Sequence, residues 1–306
     1  MLDLADAWAK LRWAHRHFAA LGPEIAAFER EATHRVAIDF DAGQAKYTFR
    51  VKDLEPVSLE WGLLLGDCIH NARTALDYLM VRLWALHTDQ RPGDVGGIAF
   101  PIAPVAVDPP THDVDKAVVA ARQHFRKQTA RLRCIPSLSG CVKRIEELQP
   151  FNSADPTLWG AQGSPLRLSP IGILDNADKH RVPHIAWAGV NIRNNDVIGT
   201  LAGLAPETFE CIAASTTWGP LVDGAVLGEV QFEAPLPSRW LPDEAAVKHC
   251  FPLHVSTGDA HPFNGILEVI PRCLWSVEAV LTLFEPVFQG HEPLSVATIK
   301  RPPSLG

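Results

Sequence analysis

Over the first thirty positions the apolar residues recur every three to four places: Leu4, Trp8, Leu11, Phe18, Leu21, Ile25 and Phe28. That period is one face of an α-helix, so the spacing predicts an amphipathic helix over 3–31. Gly22-Pro23 is a point where such a helix bends or divides. The period then drops to two. Arg35-Val36-Ala37-Ile38-Asp39-Phe40 and Lys46-Tyr47-Thr48-Phe49-Arg50-Val51 alternate apolar with polar, and Asp41-Ala42-Gly43-Gln44 between them reads as the turn of a β-hairpin. The helical period returns over 57–87, with Ser58 as its N-terminal cap. Plotted at 100° per residue, Leu64, Leu65, Cys68, Ile69, Ala72, Ala75, Leu76, Leu79 and Leu83 fill one arc of about 140°.

Beyond residue 90 the pattern alternates between loops and shorter helices. Residues 91–111 are rich in Pro and Gly, with Phe100-Pro101-Ile102 as an apolar anchor. Helices are predicted over 113–133 and 138–149, separated by Pro136 and with Ser137 capping the second. After a loop at 150–169, Ser169-Pro170 opens a short helix that ends before Pro183. Over 184–257 short β-type runs predominate: 196–201, 209–212, 226–232 and 251–255. They predict an antiparallel sheet, which the 33–51 hairpin is placed to join. A last helix spans 264–289, and 290–306 reads as a polar tail. The expected fold class is α+β: a helical bundle packed against an antiparallel β-sheet, in one domain over 1–289.

Composition narrows the function classes. With 306 residues and 47% hydrophobic content, the chain can build a substantial core. A formal net charge of −7 argues against a generally basic nucleic-acid-binding surface but is compatible with a local basic pocket. No apolar run reaches the roughly 18–20 residues of a membrane span, and Met1 to Lys10 carries no signal pattern, so a cytoplasmic location without membrane partners is expected. The six cysteines are scattered without a Cys-x-x-Cys pair and read as reduced, mostly buried thiols.

Two polar clusters interrupt the helical pattern. Asp67, His70, Thr74 and Asp77 recur at three- and four-residue spacing and share the helix face opposite the apolar arc. Tyr78, Val81 and Trp84 lie on or beside that face, which points to a helix packed on more than one side. The second cluster is Asp175-Asn176-Ala177-Asp178-Lys179-His180-Arg181. Together they suggest a polar inter-helix site. His70 and His180 supply acid and base, with Asp77 or Asp178 to orient a histidine. Arg73, Lys179 and Arg181 can hold a small anionic ligand or RNA phosphate. Asn71 and Asp178 complete the binding set. The alternative is structural: the same residues form a buried ion-pair and hydrogen-bond network that fixes helix register in a non-catalytic ligand-binding or scaffold protein.

Other chemistries have weaker signals. Asp67 and His70 could converge on a metal, as could His180 and His184 if Pro183 did not intervene, but no HExxH or Cys/His ladder appears. No Gly-x-Ser-x-Gly elbow, GxGxxG or P-loop is present, so no cofactor is expected. Trp8, Trp13, Trp61 and Trp84 read as core and interface packing. Arg12, His15, Arg16 and His17 form a basic turn on the first helix, either simply solvated or in contact with phosphate.

Several longer stretches carry a resemblance: Trp61-Gly62-Leu63-Leu64-Leu65-Gly66-Asp67, His70-Asn71-Ala72-Arg73-Thr74-Ala75-Leu76-Asp77, Phe100-Pro101-Ile102, Leu148-Gln149-Pro150-Phe151 and Leu174-Asp175-Asn176-Ala177-Asp178-Lys179-His180-Arg181. In these the chain resembles an actinobacterial-type bacterial family of about this size, a resemblance that implies no particular activity. More remotely it is similar to HEPN-type helical proteins, which implies a metal-independent ribonuclease. Their Arg-x(4–6)-His spacing is met by Arg12 to His17 and Arg82 to His87, but roughly two such pairs are expected by chance. Trp13 and Leu83 stand where a polar residue is the rule.

Overall fold

The computed structural model describes residues 2–88, 90–91, 97–105, 113–152, 166, 168–180, 184–187, 211–216, 222–234, 244–248, 253–256 and 265–299. Seven α-helices lie among them: α1 (Ala5–Glu31), α2 (Leu59–His87), α3 (Val114–Gln128), α4 (Ala130–Arg133), α5 (Ser139–Glu147), α6 (Leu168–His180) and α7 (Ile266–Phe284). Seven strands accompany them: β1 (Thr33–Asp41), β2 (Lys46–Lys52), β3 (His184–Trp187), β4 (Cys211–Thr216), β5 (Val226–Phe232), β6 (Glu244–Lys248) and β7 (Leu253–Ser256). The class is α+β. Among the described residues no helix is long and apolar enough to cross a membrane. The chain forms two compact units, and the division does not follow chain order. One comprises Met1–Leu21, Leu63–Pro183 and Leu267–Gly306; the other comprises Gly22–Gly62 and His184–Ile266.

In the first unit α1 and α2 run antiparallel. Asp6 pairs with Arg82, Lys10 Nζ donates to Asn71 Oδ1 at 3.2 Å, and the Cys68 thiol donates to the Ala14 carbonyl at 3.3 Å. The predicted arc of α2 is buried from Leu65 to Leu83, together with Leu4 and with Ala7, Leu11 and Ala14 of α1. Met80, Trp84 and Ala85 are buried as well, so the end of α2 is covered on more than one side. α1 passes through Pro23 as one helix instead of dividing there. Ser58 caps α2 as expected, accepting from the Glu60 N–H.

The helix predicted over 113–133 is two, α3 and α4, which meet at Thr129. Ser137 does not cap α5: a 3-10 turn over Pro136–Leu138 leads directly into it, and no side chain caps the junction. Ser169 likewise lies inside α6, which starts at Leu168.

The second unit holds a five-stranded antiparallel sheet in the order β4-β5-β2-β1-β6. The β1–β2 hairpin sits in its middle, with Val36 opposite Val51 and Asp41 opposite Lys46. The Asp41 carboxylate accepts from the Gly43 N–H at 2.8 Å and shapes the turn. Val36, Tyr47, Phe49 and Val51 are buried, the period-two face read from the sequence. Strands β3 and β7 pair separately, His184 opposite Ser256. The β-run predicted at 196–201 lies outside the described residues. β6, Ala-rich and without sequence signal, is a strand because β1 offers it a partner.

Candidate functional site

The polar face of α2 divides into two parts with different partners. Arg73 and Asp77, one turn apart, form an ion pair at 3.0 Å. Both also hold the backbone of Phe100: Arg73 Nη2 donates to its carbonyl at 2.6 Å, and Asp77 Oδ1 accepts from its N–H at 2.8 Å. The Phe100 side chain is fully buried beneath them. A backbone with no strand or helix to satisfy it thus finds both partners on one helix face.

Buried Gln149 secures the next residues of the same segment. Its Oε1 accepts from the Ala103 N–H at 3.0 Å, and its Nε2 donates to the Pro101 and Ile145 carbonyls at 2.9 and 3.1 Å. Phe151, two residues on, packs edge-on against Phe125 at 5.8 Å. The fixed segment then seats α6. A Cβ on Gly172 would lie 3.3 Å from Ile102 Cγ2, so the missing side chain lets α6 pack closely on Ile102. These contacts account for Phe100-Pro101-Ile102 and Leu148-Gln149-Pro150-Phe151 as packing and hydrogen-bonding elements.

Seated in this way, α6 brings Asp175 to α2. His70 Nδ1 lies 3.2 Å from Asp175 Oδ1. Asp175 is 3% exposed and His70 49%. A carboxylate accepts, so Nδ1–H donates and the neutral ring carries its lone pair on Nε2. Among the described residues Nε2 has no hydrogen-bond partner. The two polar clusters therefore meet, through a residue at the start of the second one. Burial pushes the Asp77 carboxyl above its usual range; Arg73 and the Phe100 N–H oppose the shift, and the nearby Asp175 charge adds to it.

Around the pair, the Thr74 hydroxyl donates to the His70 carbonyl at 2.8 Å and Asn71 Nδ2 donates to the Asp67 carbonyl at 2.7 Å. Asn71 Oδ1 holds Lys10, whose ammonium meets no carboxylate among the described residues. Asp178, Lys179 and His180 form the last turn of α6, and Arg181 lies outside the described residues. No three His, Cys, Asp or Glu side chains among the described residues come together as a metal centre requires. Cys68 is a core thiol, its pKa pushed up to about 12 by burial. Arg82, one of the two arginines at HEPN-like spacing, is held by Asp6.

Three participants lie in or near the stretches singled out in the sequence, or outside them, without a role of their own being legible there. Asp175 opens a run of mostly polar residues, and only its neighbours on α2 distinguish it. Gln149 has the pattern of an ordinary helix-end residue. Lys10 enters through the antiparallel packing of α1 on α2. Trp13 corrects an expectation: it is 49% exposed, not core, because it sits on the side of α1 away from Leu11 and Ala14. No protein family, curated protein or solved structure matches this chain.

Proposed function

We propose that the His70–Asp175 pair is the working centre of a site that binds an anionic, phosphate-containing ligand and transfers a proton on it. Metal-independent RNA cleavage of the HEPN kind is the activity to test first. The observation that carries this reading is the contrast within the pair: a carboxylate at 3% exposure orients an imidazole at 49%. A buried carboxylate fixes the tautomer and stabilises the imidazolium formed when Nε2 takes a proton. At that exposure the imidazole is open to a ligand while the carboxylate that orients it is not. Lys10, without a carboxylate partner among the described residues and seated on the residue next to His70, supports an anionic ligand.

Incubation of the protein with a pool of short RNAs in EDTA tests the proposal. Cleavage is expected, abolished in His70→Ala and reduced about 10²–10⁴-fold in Asp175→Asn, with both variants folded. Failure of the wild-type protein to cleave any RNA or an activated phosphodiester would overturn it.

Arg73 and Asp77 support a second reading for their own part of the cluster. Both are committed to the Phe100 backbone, and Arg73 is 13% exposed. Their role on this reading is that of a structural clamp, the scaffold alternative drawn from the sequence.

A further inference from the structure

Between Asp6 and Glu24 the chain carries no acidic residue, while Lys10, Arg12, His15, Arg16 and His17 fall in that interval. On a chain of net charge −7 this is a pronounced local reversal. Plotted around α1, Arg12, Arg16, Trp13, His17 and Lys10 follow one another over about 160°, away from the buried Leu4, Ala7, Leu11 and Ala14. Arg12 and Arg16 form no ion pair among the described residues. The indole of Trp13 is held in place: the Arg16 guanidinium lies 5.6 Å from its ring centroid, and His17 packs edge-on at 5.4 Å and 86°. A large aromatic kept half exposed, fixed by its neighbours and flanked by cations, is the arrangement that stacks an unpaired base and neutralises the phosphates on either side. The arc ends at Lys10, which touches Asn71 beside His70.

We propose that this face of α1 binds single-stranded nucleic acid, with a base stacked on Trp13 and phosphates on Arg12 and Arg16, and that Lys10 passes the strand toward His70. The inference rests on the proposed site for the fate of the strand, not for its binding. An anionic membrane fits less well, because apart from Trp13 the exposed face offers only small apolar residues, Ala9, Ala19 and Ala20. A duplex fits less well because its bases are already stacked.

Fluorescence anisotropy with labelled 12-nucleotide single strands, RNA and DNA, measured across a salt series, tests this. Trp13→Ala is expected to weaken binding about tenfold. Arg12→Gln with Arg16→Gln is expected to lower the slope of log K against log salt by about 0.7 for each phosphate no longer neutralised. All three side chains are on the surface, and circular dichroism checks that the variants fold. Absence of single-strand binding at low salt overturns the proposal. So does binding indifferent to these variants, or displacement of the strand by poly-glutamate or phosphatidylserine vesicles more readily than by unlabelled strand. Binding is read in His70→Ala as well, so the two proposals fail separately. Binding without cleavage by the wild-type protein strikes the His70–Asp175 reading alone, and cleavage by the wild type that is indifferent to the α1 variants strikes this one alone.

Discussion

The residues of α2 between 70 and 77 show how one helix face supports two kinds of chemistry one turn apart. Asp77 is the part whose energetics can be read separately. Asp77→Ala leaves the Arg73 charge and the Phe100 N–H without their partner, and a loss of about 3 kcal/mol in denaturant unfolding is expected. Asp77→Asn keeps an acceptor for the N–H and should lose less. The two also differ from wild type in pH dependence. A carboxyl raised in the folded state contributes stability below its unfolded pKa and loses it as pH climbs through the raised value. Wild-type stability relative to Asp77→Asn should therefore decline from the usual carboxylate range upward, in unfolding curves collected at stepped pH. A gain over that interval would show that Arg73 outweighs burial. The positions of His70, Arg73 and Asp77 are legible in the sequence, because a polar stripe on an apolar helix is visible as spacing. That Arg73 and Asp77 turn to a backbone segment while His70 turns to α6 is not. It depends on which loop arrives beside them.

At the level of elements, the decisive piece is the irregular segment from Phe100 to Ala103. It has neither helix nor strand bonding, yet it sets the approach of α6 to α2 through Asp77, Arg73, Gln149 and the space at Gly172. Gln149→Leu removes three buried hydrogen bonds at similar volume and strands the Ala103 N–H, so a loss of about 2 kcal/mol or more is expected by thermal or urea unfolding. If Gln149 also positions α6, the same variant should disturb the His70 imidazole resonances in NMR, some distance from the mutation. Unchanged resonances would assign it to local stability only. Long helices such as α1 and α2 are legible because their periodicity runs for many turns. The break at Thr129 and the 3-10 entry to α5 are not, since short-range hydrogen bonds at helix ends leave little trace in a hydrophobic pattern.

For the molecule as a whole, the α+β class follows from two different periods in two parts of the chain. The pairing of those parts does not. Strand order β4-β5-β2-β1-β6 joins an early hairpin to strands from the last third, and register across such separations is decided by the assembled core. A chain ending at residue 183 would keep β1 and β2 but remove both their outer neighbours, β5 and β6. Two strands alone are marginal in water, so this truncation is expected to aggregate or to bind a dye for exposed apolar surface, whereas the full chain does not. A soluble, monodisperse truncation would contradict this account of the sheet. The same strand order has a temporal side. On a ribosome adding about 5–20 residues per second, roughly nine to thirty-five seconds separate completion of β2 at Lys52 from the start of β5 at Val226. Through that interval the nascent hairpin has both edges open, and Tyr47 lacks Phe232, the ring that packs edge-on against it in the folded sheet. Its yield in a cell should therefore depend on translation speed and on chaperones that shield young chains.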